Sequence, residues 1–315
     1  MPVSRWITCA AAALVWVTTG TVAADYPEKP VKVIVPFQTG GMSDTTARIF
    51  QKSFERGGHL GQPLTIVNMG GGGGTIGTRA TKEAEADGHT IMLIHLALLS
   101  AQAMGVADYG YEAFEPIAQT GSSCLATAVR ADAPYETLED LFEAARAAPD
   151  TIVEAVNIGA VVHIASLILS DPAGTSFRYM QSGGGAKRIQ DLIGGHAEVA
   201  MFSTSEYKSF QPMGIKALAI LAPERHPDFP GLPTAKEQGY DVNFCVDNWW
   251  FAPAGTPEDR VEALADAFAK AMEDPEVVGP FEAQTISPTF LRGEELAAHV
   301  AEVDAQIQAA AAKAR

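Results

Sequence analysis

The feature that most constrains this chain is a run of five consecutive glycines, residues 70–74, which follows an apolar strand-like run and precedes a helix-like run. Glycine permits backbone conformations with positive φ, and a helix that begins beside it presents unpaired N–H groups to an anion. An earlier turn of this kind follows the apolar run 31–36, where Gly40 and Gly41 precede another helical pattern. In chain order, this is the first turn, and the glycine run is the second. Two such turns in one short segment predict a site for an anionic ligand.

Each turn offers its own candidate contacts. In the first turn, Thr39 and Ser43 offer hydroxyl groups, and Gly40 and Gly41 permit close approach to the backbone. The candidate contacts of this turn are Phe37, Gln38, Thr39, Gly40, Gly41 and Ser43. Asp44 also belongs to this set, although capping of the helix predicted over residues 45–56 is the favoured role, since a carboxylate repels an anion. In the second turn, Gly72 and Gly73 form a backbone cradle, and Thr75 stands near the helix start with an N–H and a hydroxyl.

The second turn does not predict a nucleotide site. Gly72, Gly74 and Gly77 formally match the dinucleotide fingerprint, but a run of five glycines nearly guarantees that match. The acidic residue expected about 20 positions later is missing, because residues 91–100 contain no acid. No Gly-Lys-Ser/Thr follows either, so no nucleotide or other cofactor is predicted.

Strand-like and helix-like runs alternate along the chain, which is typical of an α/β fold with largely parallel strands. Strands are predicted over residues 31–36, 64–67, 90–94, 124–129, 152–156, 199–202 and 216–221. Thr137 and Asp140 predict a capped helix over residues 138–147, and Thr256 followed by Pro257 predicts the start of another that ends at Met272. A terminal helix is predicted over residues 293–315.

The first 24 residues predict export. They carry a single charge, Arg5, and an apolar segment over residues 6–17 that is followed by small residues. This pattern is typical of a secretory signal, here cleaved near Ala23 or Ala24. A retained anchor is the alternative, but the apolar segment is too short to span a bilayer. The mature protein is therefore predicted to be periplasmic.

Charge and cysteine content narrow the function classes further. The formal net charge of −16 becomes −17 without Arg5, because residues 1–24 contain no acid, and so acidic a chain repels nucleic acid. Cys124 and Cys245 can pair in an oxidising compartment or remain as two separately buried thiols. No Cys or His pair has the spacing of metal ligands, so no metal site is predicted.

Catalytic patterns are absent from the sequence. There is no Gly-x-Ser-x-Gly elbow and no His-Glu-x-x-His. His163, in the first turn of a predicted helix, can donate to a ligand oxygen, but a structural role is about equally expected for a lone histidine. A third glycine turn, residues 183–185, precedes Lys187 and Arg188, whose side chains are expected to face solvent.

Several short motifs together resemble one family. They are Tyr26-Pro27-x-Lys29-Pro30, Ile34-Val35-Pro36-Phe37 with Gly40-Gly41 and Asp44, Asn68 with the glycine run and Ile76-Gly77, Asp87-Gly88-x-Thr90, Leu192-Ile193-Gly194-Gly195-His196, Leu232-Pro233-Thr234 with Glu237 and Gly239, and Phe251-Ala252-Pro253-Ala254-Gly255-Thr256-Pro257. Across the whole mature chain, this set resembles the periplasmic substrate-binding receptors of tripartite tricarboxylate transporters, the Bug or TctC-like receptors.

The resemblance implies a bilobal, type II-like periplasmic-binding-protein fold of two α/β domains joined by hinge strands. The lobes would comprise residues 25–121 with 246–315, and residues 122–245. A monomer would close on a small organic carboxylate and deliver it to membrane permease subunits. The resemblance places the ligand between loops 37–44 and 71–75 of the first lobe and a set of residues in the second lobe, namely Ala160, Val161, His163, Gly184 and Ser203. His95 of the first lobe is a further candidate contact.

One departure bears on the ligand. Relatives often have Gly-Thr-Ser-Gln-His where this chain has Gly159-Ala160-Val161-Val162-His163, so three polar side chains are replaced by aliphatic ones. An unpaired buried polar group costs about 1–3 kcal/mol, which argues against citrate and predicts a monocarboxylate or dicarboxylate with an apolar or aromatic body. The alternatives are a carboxylate sensor for a membrane kinase and a periplasmic hydrolase using His163 or His95 as base.

Overall fold

The computed structural model describes residues 26–313, so the predicted signal sequence and the last two residues lie outside the described part. The strands are β1 (Val31–Val35), β2 (Leu64–Asn68), β3 (Thr90–Ile94), β4 (Phe114–Arg130), β5 (Val153–Val156), β6 (Arg178–Gln181), β7 (Val199–Ser203), β8 (Ile215–Ile220) and β9 (Cys245–Pro253). The helices are α1 (Met42–Gly57), α2 (Thr75–Lys82), α3 (Ala97–Ala103), α4 (Leu138–Ala147), α5 (Val161–Ser170), α6 (Gly185–Ile193), α7 (Thr204–Phe210), α8 (Glu258–Met272), α9 (Pro275–Ala283) and α10 (Gly293–Lys313). Among residues 26–313, every helix is too short or too polar to cross a membrane.

The strands follow one hydrogen-bonded path in the order β2-β1-β3-β9-β4-β7-β5-β6, with β8 also paired to β4. Within this path, β2, β1 and β3 are parallel, as are β6, β5 and β7. Strands β4, β8 and β9 make antiparallel pairs. The expected α/β class is confirmed, but the strands are parallel only in two groups of three.

Strand β4 connects the two parallel groups. Its first part pairs with β9 from Phe114 to Cys124, and its last part pairs with β7 and β8 from Leu125 to Arg130. Cys124 and Cys245 face each other in this ladder and form a disulfide with an S–S distance of 2.00 Å. The disulfide that the sequence left open is thus formed. It joins β4 to β9 at the position where β4 passes from one group of strands to the other.

Two adjacent tryptophans on β9 anchor the core on opposite faces of the sheet. Trp250 packs against Phe268 and Phe50, with ring centroids 4.2 and 5.2 Å apart, and both indoles are fully buried. The indole N–H of Trp249 donates to Gln119 at 3.0 Å, and that of Trp250 donates to Thr120 at 2.9 Å. Burial of these rings is therefore accompanied by a hydrogen bond for each buried donor.

The capping predictions for helices α4 and α8 have different outcomes. The capping box of α4 forms as predicted: Asp140 N donates to the Thr137 hydroxyl at 3.1 Å, and the Asp140 carboxylate accepts from Thr137 N at 2.9 Å. The prediction that Thr256 caps α8 is wrong. Pro257 is itself the residue before the helix, and the Thr256 hydroxyl donates to Pro253 O at 2.8 Å.

The bounds of several other helices and strands differ from the predicted ones, each for a physical reason. Helix α1 begins three residues before its predicted start, because Ser43 and Asp44 interrupt the apolar pattern of its first turn. Strand β6 was not predicted, since its sequence RYMQ lies half-exposed at the sheet edge. The residues around Cys245, 242–246, also have a strand-like apolar pattern, but they join a strand only from Cys245 onward. Strand β4 begins ten residues earlier than predicted because its first half is polar yet buried.

A carboxyl group lies fully buried in the second parallel group. Glu154 is on the central strand β5; its Oε2 accepts a hydrogen bond from Ser166 of α5, and its Oε1 has no partner. Burial raises the pKa of Glu154 to about 8, although the Ser166 hydrogen bond and the charge of Arg188 oppose the shift. The folded protein therefore holds a proton on Glu154 that the unfolded chain releases at lower pH.

This proton predicts a pH-dependent loss of stability. Between the usual glutamate pKa of 4.5 and about 8, the folded state binds more protons at this site than the unfolded state, so the free energy of unfolding falls as pH rises. We expect Glu154→Gln to remove this contribution, giving a difference from wild type that changes by up to about 1.4 kcal/mol per pH unit in that window. Urea unfolding at pH 5, 6, 7 and 8 measures the difference.

The exposed Glu262 of α8 provides the control. Glu262→Gln should leave the pH profile of the unfolding free energy parallel to that of wild type. A Glu154→Gln profile that also stays parallel to wild type would show that Glu154 is ionised in the folded protein.

Candidate functional site

The predicted loops of the first lobe meet at one edge of the sheet. Strands β1, β2 and β3 are parallel, so the segments that follow them, which begin with Pro36, Met69 and His95, lie side by side. The Phe37 and His95 rings stack with centroids 4.7 Å apart and planes at 9°. The side chain of Asn68 donates to Phe37 O at 3.2 Å. These contacts fix the first and second turns against each other.

Asp44 organises the first turn from inside α1. The helix begins at Met42, so Asp44 is in its first turn and is not the residue before it, contrary to the predicted capping position. Its Oδ2 accepts from Gly40 N at 2.8 Å and from Arg48 Nε at 3.0 Å, whereas its buried Oδ1 has no partner. Burial opposes ionisation, but the hydrogen bonds from Arg48 and Gly40 hold the pKa of Asp44 below its usual value.

The glycine run adopts the unusual backbone that the sequence suggested. Gly71, Gly72, Gly73 and Gly74 all have positive φ, between 58° and 135°, a conformation that other residues rarely adopt. Thr75 begins α2, but its N–H and its hydroxyl both donate to Gly72 O. The structure therefore gives the Thr75 donors an internal partner in place of the predicted anion.

Both histidines of the predicted site accept a hydrogen bond through Nδ1. His95 accepts from Ala97 N at 3.1 Å, and His163 accepts from Gly159 N at 3.1 Å. Burial lowers the pKa of His95 to about 4 and lowers that of His163 in the same direction. Each ring is thus neutral near pH 7 and retains its Nε2–H as a donor.

The predicted residues of the second lobe also share one sheet edge. Strands β5, β6 and β7 are parallel, so their carboxyl ends lie on the same side of the sheet. Ala160 and Val161 follow β5, Gly184 follows β6, and Ser203 is the last residue of β7. Gly159 of this edge comes close to Met104, which follows α3: a Cβ added at Gly159 would lie 3.3 Å from the Met104 methyl carbon. The segment after β5 is therefore adjacent to the first group of elements.

Arg188 connects the three segments of this second edge. Its side chain does not face solvent as the sequence suggested, since the residue is only 6% exposed. It donates to Met201 O at 3.2 Å, to Asn157 Oδ1 at 3.1 Å, to Gly183 O at 3.4 Å and to Glu206 Oε2 at 3.3 Å. Sequence reasoning missed this role, because a residue in the second turn of a helix gives no signal that its side chain turns back under the loops.

A cavity of about 730 Å³ lies elsewhere, beside β4, β9 and α10, and none of the sixteen predicted site residues lines it. Its buried Asp247 accepts from Ser122 at 2.5 Å and pairs with His299 at 2.8 Å, and its Arg225 pairs with Glu237 at 2.9 Å. The lining also includes Glu224 and Glu302. An organic anion would meet paired cations and like charges there.

The described residues contain no candidate metal site. Within residues 26–313, no group of three or more His, Cys, Asp or Glu side chains is arranged to hold a metal ion.

Close packing of α2 beneath the two turns yields a stability prediction. A Cβ at Gly77 would lie 2.8 Å from Pro36 Cα and 3.0 Å from Met69 O, both backbone atoms that cannot move independently. We expect Gly77→Ala to lower the free energy of unfolding by about 1–3 kcal/mol. Gly279 in α9 has no atom within 4 Å of an added Cβ, so Gly279→Ala should be neutral or stabilising. Equal thermal stability of the two variants would contradict this packing.

Comparison with known proteins agrees with this architecture. Residues 47–311 match the family model described as the tripartite tricarboxylate transporter family receptor. BugT of Bordetella pertussis is 28% identical over 290 residues, which cover 89% of this chain and 88% of BugT. A TctC solute-binding protein from Polaromonas, solved without ligand, superposes with a TM-score of 0.83 at 29% identity, covering 91% of this chain and 99% of that chain. MatC from Rhodopseudomonas palustris, solved with bound malate, superposes with a TM-score of 0.73 at 27% identity, covering 91% of this chain and all of MatC. The chain belongs to the family of tripartite tricarboxylate transporter receptors.

Proposed function

We propose that this protein is a periplasmic receptor that binds a small organic carboxylate and delivers it to the membrane subunits of a tripartite transporter. The observation that carries the proposal is the pair of turns after β1 and β2, which place glycine backbone and the start of α1 at one sheet edge. Main-chain N–H groups at helix starts favour a carboxylate. Its relative MatC, with bound malate, supports the same class of ligand.

The ligand would lie between the two sheet edges. One carboxylate is held by the loops 37–44 and 71–75, and the remainder of the molecule faces Ala160, Val161 and His163. His95 and His163 are neutral and each retains an Nε2–H donor, which suits a hydrogen bond to a carboxylate or carbonyl oxygen. Since Ala160 and Val161 offer no polar side chain, the body of the ligand is apolar or aromatic.

Two lobes would close around this ligand. Residues 25–121 with 246–315 form one lobe and residues 122–245 form the other, with the chain crossing between them in β4 and at the start of β9. The ladder between β4 and β9 supports this division, because its register shifts between Gln119 and Ser122. An irregular ladder bends more easily than a regular one, so hinge motion would concentrate there.

The remaining features of the proposal concern the protein in its compartment. It is a monomeric binding protein without catalytic activity, and it does not bind nucleic acid. Its signal sequence is cleaved near Ala23 or Ala24. The disulfide between Cys124 and Cys245 supports an oxidising compartment.

A panel of carboxylic acids tests the function directly. Mature protein should show a higher melting temperature with at least one carboxylate that has an apolar or aromatic body, because a ligand that binds only the folded state stabilises it. Isothermal titration then measures the affinity, and citrate should bind weakly or not at all. Tight binding of citrate without binding of less polar acids would contradict the proposed ligand class.

A charge placed in the first turn tests the location of the carboxylate. Gly40 has a φ of 84° and no atom within 4 Å of an added Cβ, and aspartate tolerates such a backbone better than most residues. Two like charges about 5 Å apart repel by about 3 kcal/mol at an effective dielectric constant of about 20. We therefore expect Gly40→Asp to weaken binding of the best acid in the panel by about a hundredfold.

Gly214 supplies the matched control. It has a φ of 95°, equally open space around an added Cβ, and a position before β8 at the opposite edge of the sheet. Gly214→Asp carries the same added charge and a similar backbone cost, so it should bind the acid like wild type. Equal affinities of the two variants would place the carboxylate away from the first turn.

A further inference from the structure

A carboxylate of the protein itself lies at the second sheet edge. Glu206, in the first turn of α7, accepts from Ser203 N at 3.0 Å and from Arg188 Nη2 at 3.3 Å through the same oxygen. Its other oxygen lies beside Gly185, the first residue of α6, where an added Cβ would be only 1.9 Å away. Glu206 thus fills the space beside the start of α6 with a carboxylate of the protein.

Arg188, the buried cation of this edge, already donates hydrogen bonds to protein groups. The guanidinium of Arg188 contacts Met201 O, Asn157, Gly183 O and Glu206. The neighbouring Lys187 pairs with Asp191. The side chain of Glu206 is 33% exposed, whereas that of Arg188 is 7% exposed. A ligand that approaches this edge therefore meets the carboxylate before it meets the guanidinium.

We propose that the Arg188–Glu206 ion pair makes this receptor selective for ligands with a single carboxylate. The inference rests on the proposed function and narrows its ligand class. The first edge holds the ligand carboxylate, and the second edge presents Glu206 together with the aliphatic Ala160 and Val161. A second carboxylate at the far end of the ligand is repelled by Glu206 and finds no uncommitted cation at Arg188 or Lys187.

A capping role alone would also place Glu206 near Ser203, and the experiment has to separate the two roles. Glu206 and Ser203 form a reciprocal capping box, in which Glu206 N donates to the Ser203 hydroxyl at 3.2 Å. Glutamine serves equally well at this position of a capping box. Glu206→Gln therefore keeps the cap and removes the charge.

The probes are two pairs of acids that differ only in the second carboxylate, hexanoate with adipate and benzoate with terephthalate. Wild type should bind the monocarboxylate of at least one pair, and at least tenfold more tightly than its dicarboxylate. Glu206→Gln should improve the affinity for the dicarboxylate at least tenfold while changing that for the monocarboxylate less than threefold. Isothermal titration gives each dissociation constant, and the melting temperature checks that the variant is folded.

Glu237 provides a control with the same local chemistry. It forms a reciprocal bond pair with Thr234 and an ion pair with Arg225 at 2.9 Å, and neither partner belongs to the proposed site. Glu237→Gln should leave the preference between mono- and dicarboxylate unchanged. This comparison separates the position of the Glu206 charge from the general effect of removing a paired acid.

The outcomes distinguish the inference from the function on which it rests. Wild type that binds adipate or terephthalate as tightly as its monocarboxylate partner would overturn the inference and leave the receptor function intact. A folded Glu206→Gln variant with unchanged selectivity would do the same, and if that variant does not fold, the wild-type ratios decide alone. Failure of wild type to bind any acid of the larger panel would overturn both proposals.

Discussion

The structure depends on the pairing of β4 with β9, because these two strands complete both parallel groups. All seventeen residues of β4 are at least partly buried, and its polar side chains from Gln119 to Ser123 have partners inside the protein, whereas the buried Thr127 hydroxyl has none. Gln119 and Thr120 accept from the two tryptophans, and Ser122 donates to Asp247 at 2.5 Å. The disulfide closes this ladder at the point where β4 turns to β7 and β8. Any change in the angle between the two groups of strands has to be absorbed within this short ladder.

The sequence predicts the fold class and most of the elements because local patterns carry those signals. Apolar runs located five of the six parallel strands, and Thr137 with Asp140 located the start of α4 to the residue. The polar half of β4 and the exposed β6 escaped prediction, since their strand conformation comes from neighbours in the sheet and not from their own side chains. The disulfide could not be decided either, because only the fold brings Cys124 and Cys245 into register.

The sequence predicted where the loops of the proposed site lie in the fold, but not the hydrogen-bond partners of individual donors. The glycine runs correctly indicated unusual backbone, and parallel strands bring the loops of each set to one edge. Yet Thr75 uses its donors on Gly72, and Arg188, read as solvent-facing, is the buried centre of the second edge. Hydrogen-bond partners of this kind are set by distances of about 3 Å across the fold, which no local sequence pattern specifies.

Charge at this site is governed by a few near groups and not by the acidic surface. Exposed charges are screened beyond about 8 Å at physiological ionic strength, so a net charge of −16 does not prevent an anion from binding. Asp44 and Glu206 are different, because each lies within one of the two proposed contact edges. At the first edge, Arg48 and Gly40 N compensate the charge of Asp44. The two ion pairs differ in which side chain is exposed: Arg48 is 45% exposed and Asp44 3%, whereas Glu206 is 33% exposed and Arg188 7%. In the proposed binding mode, this difference would orient the ligand, with its charged end toward β1 and β2 and its uncharged end toward β5, β6 and β7.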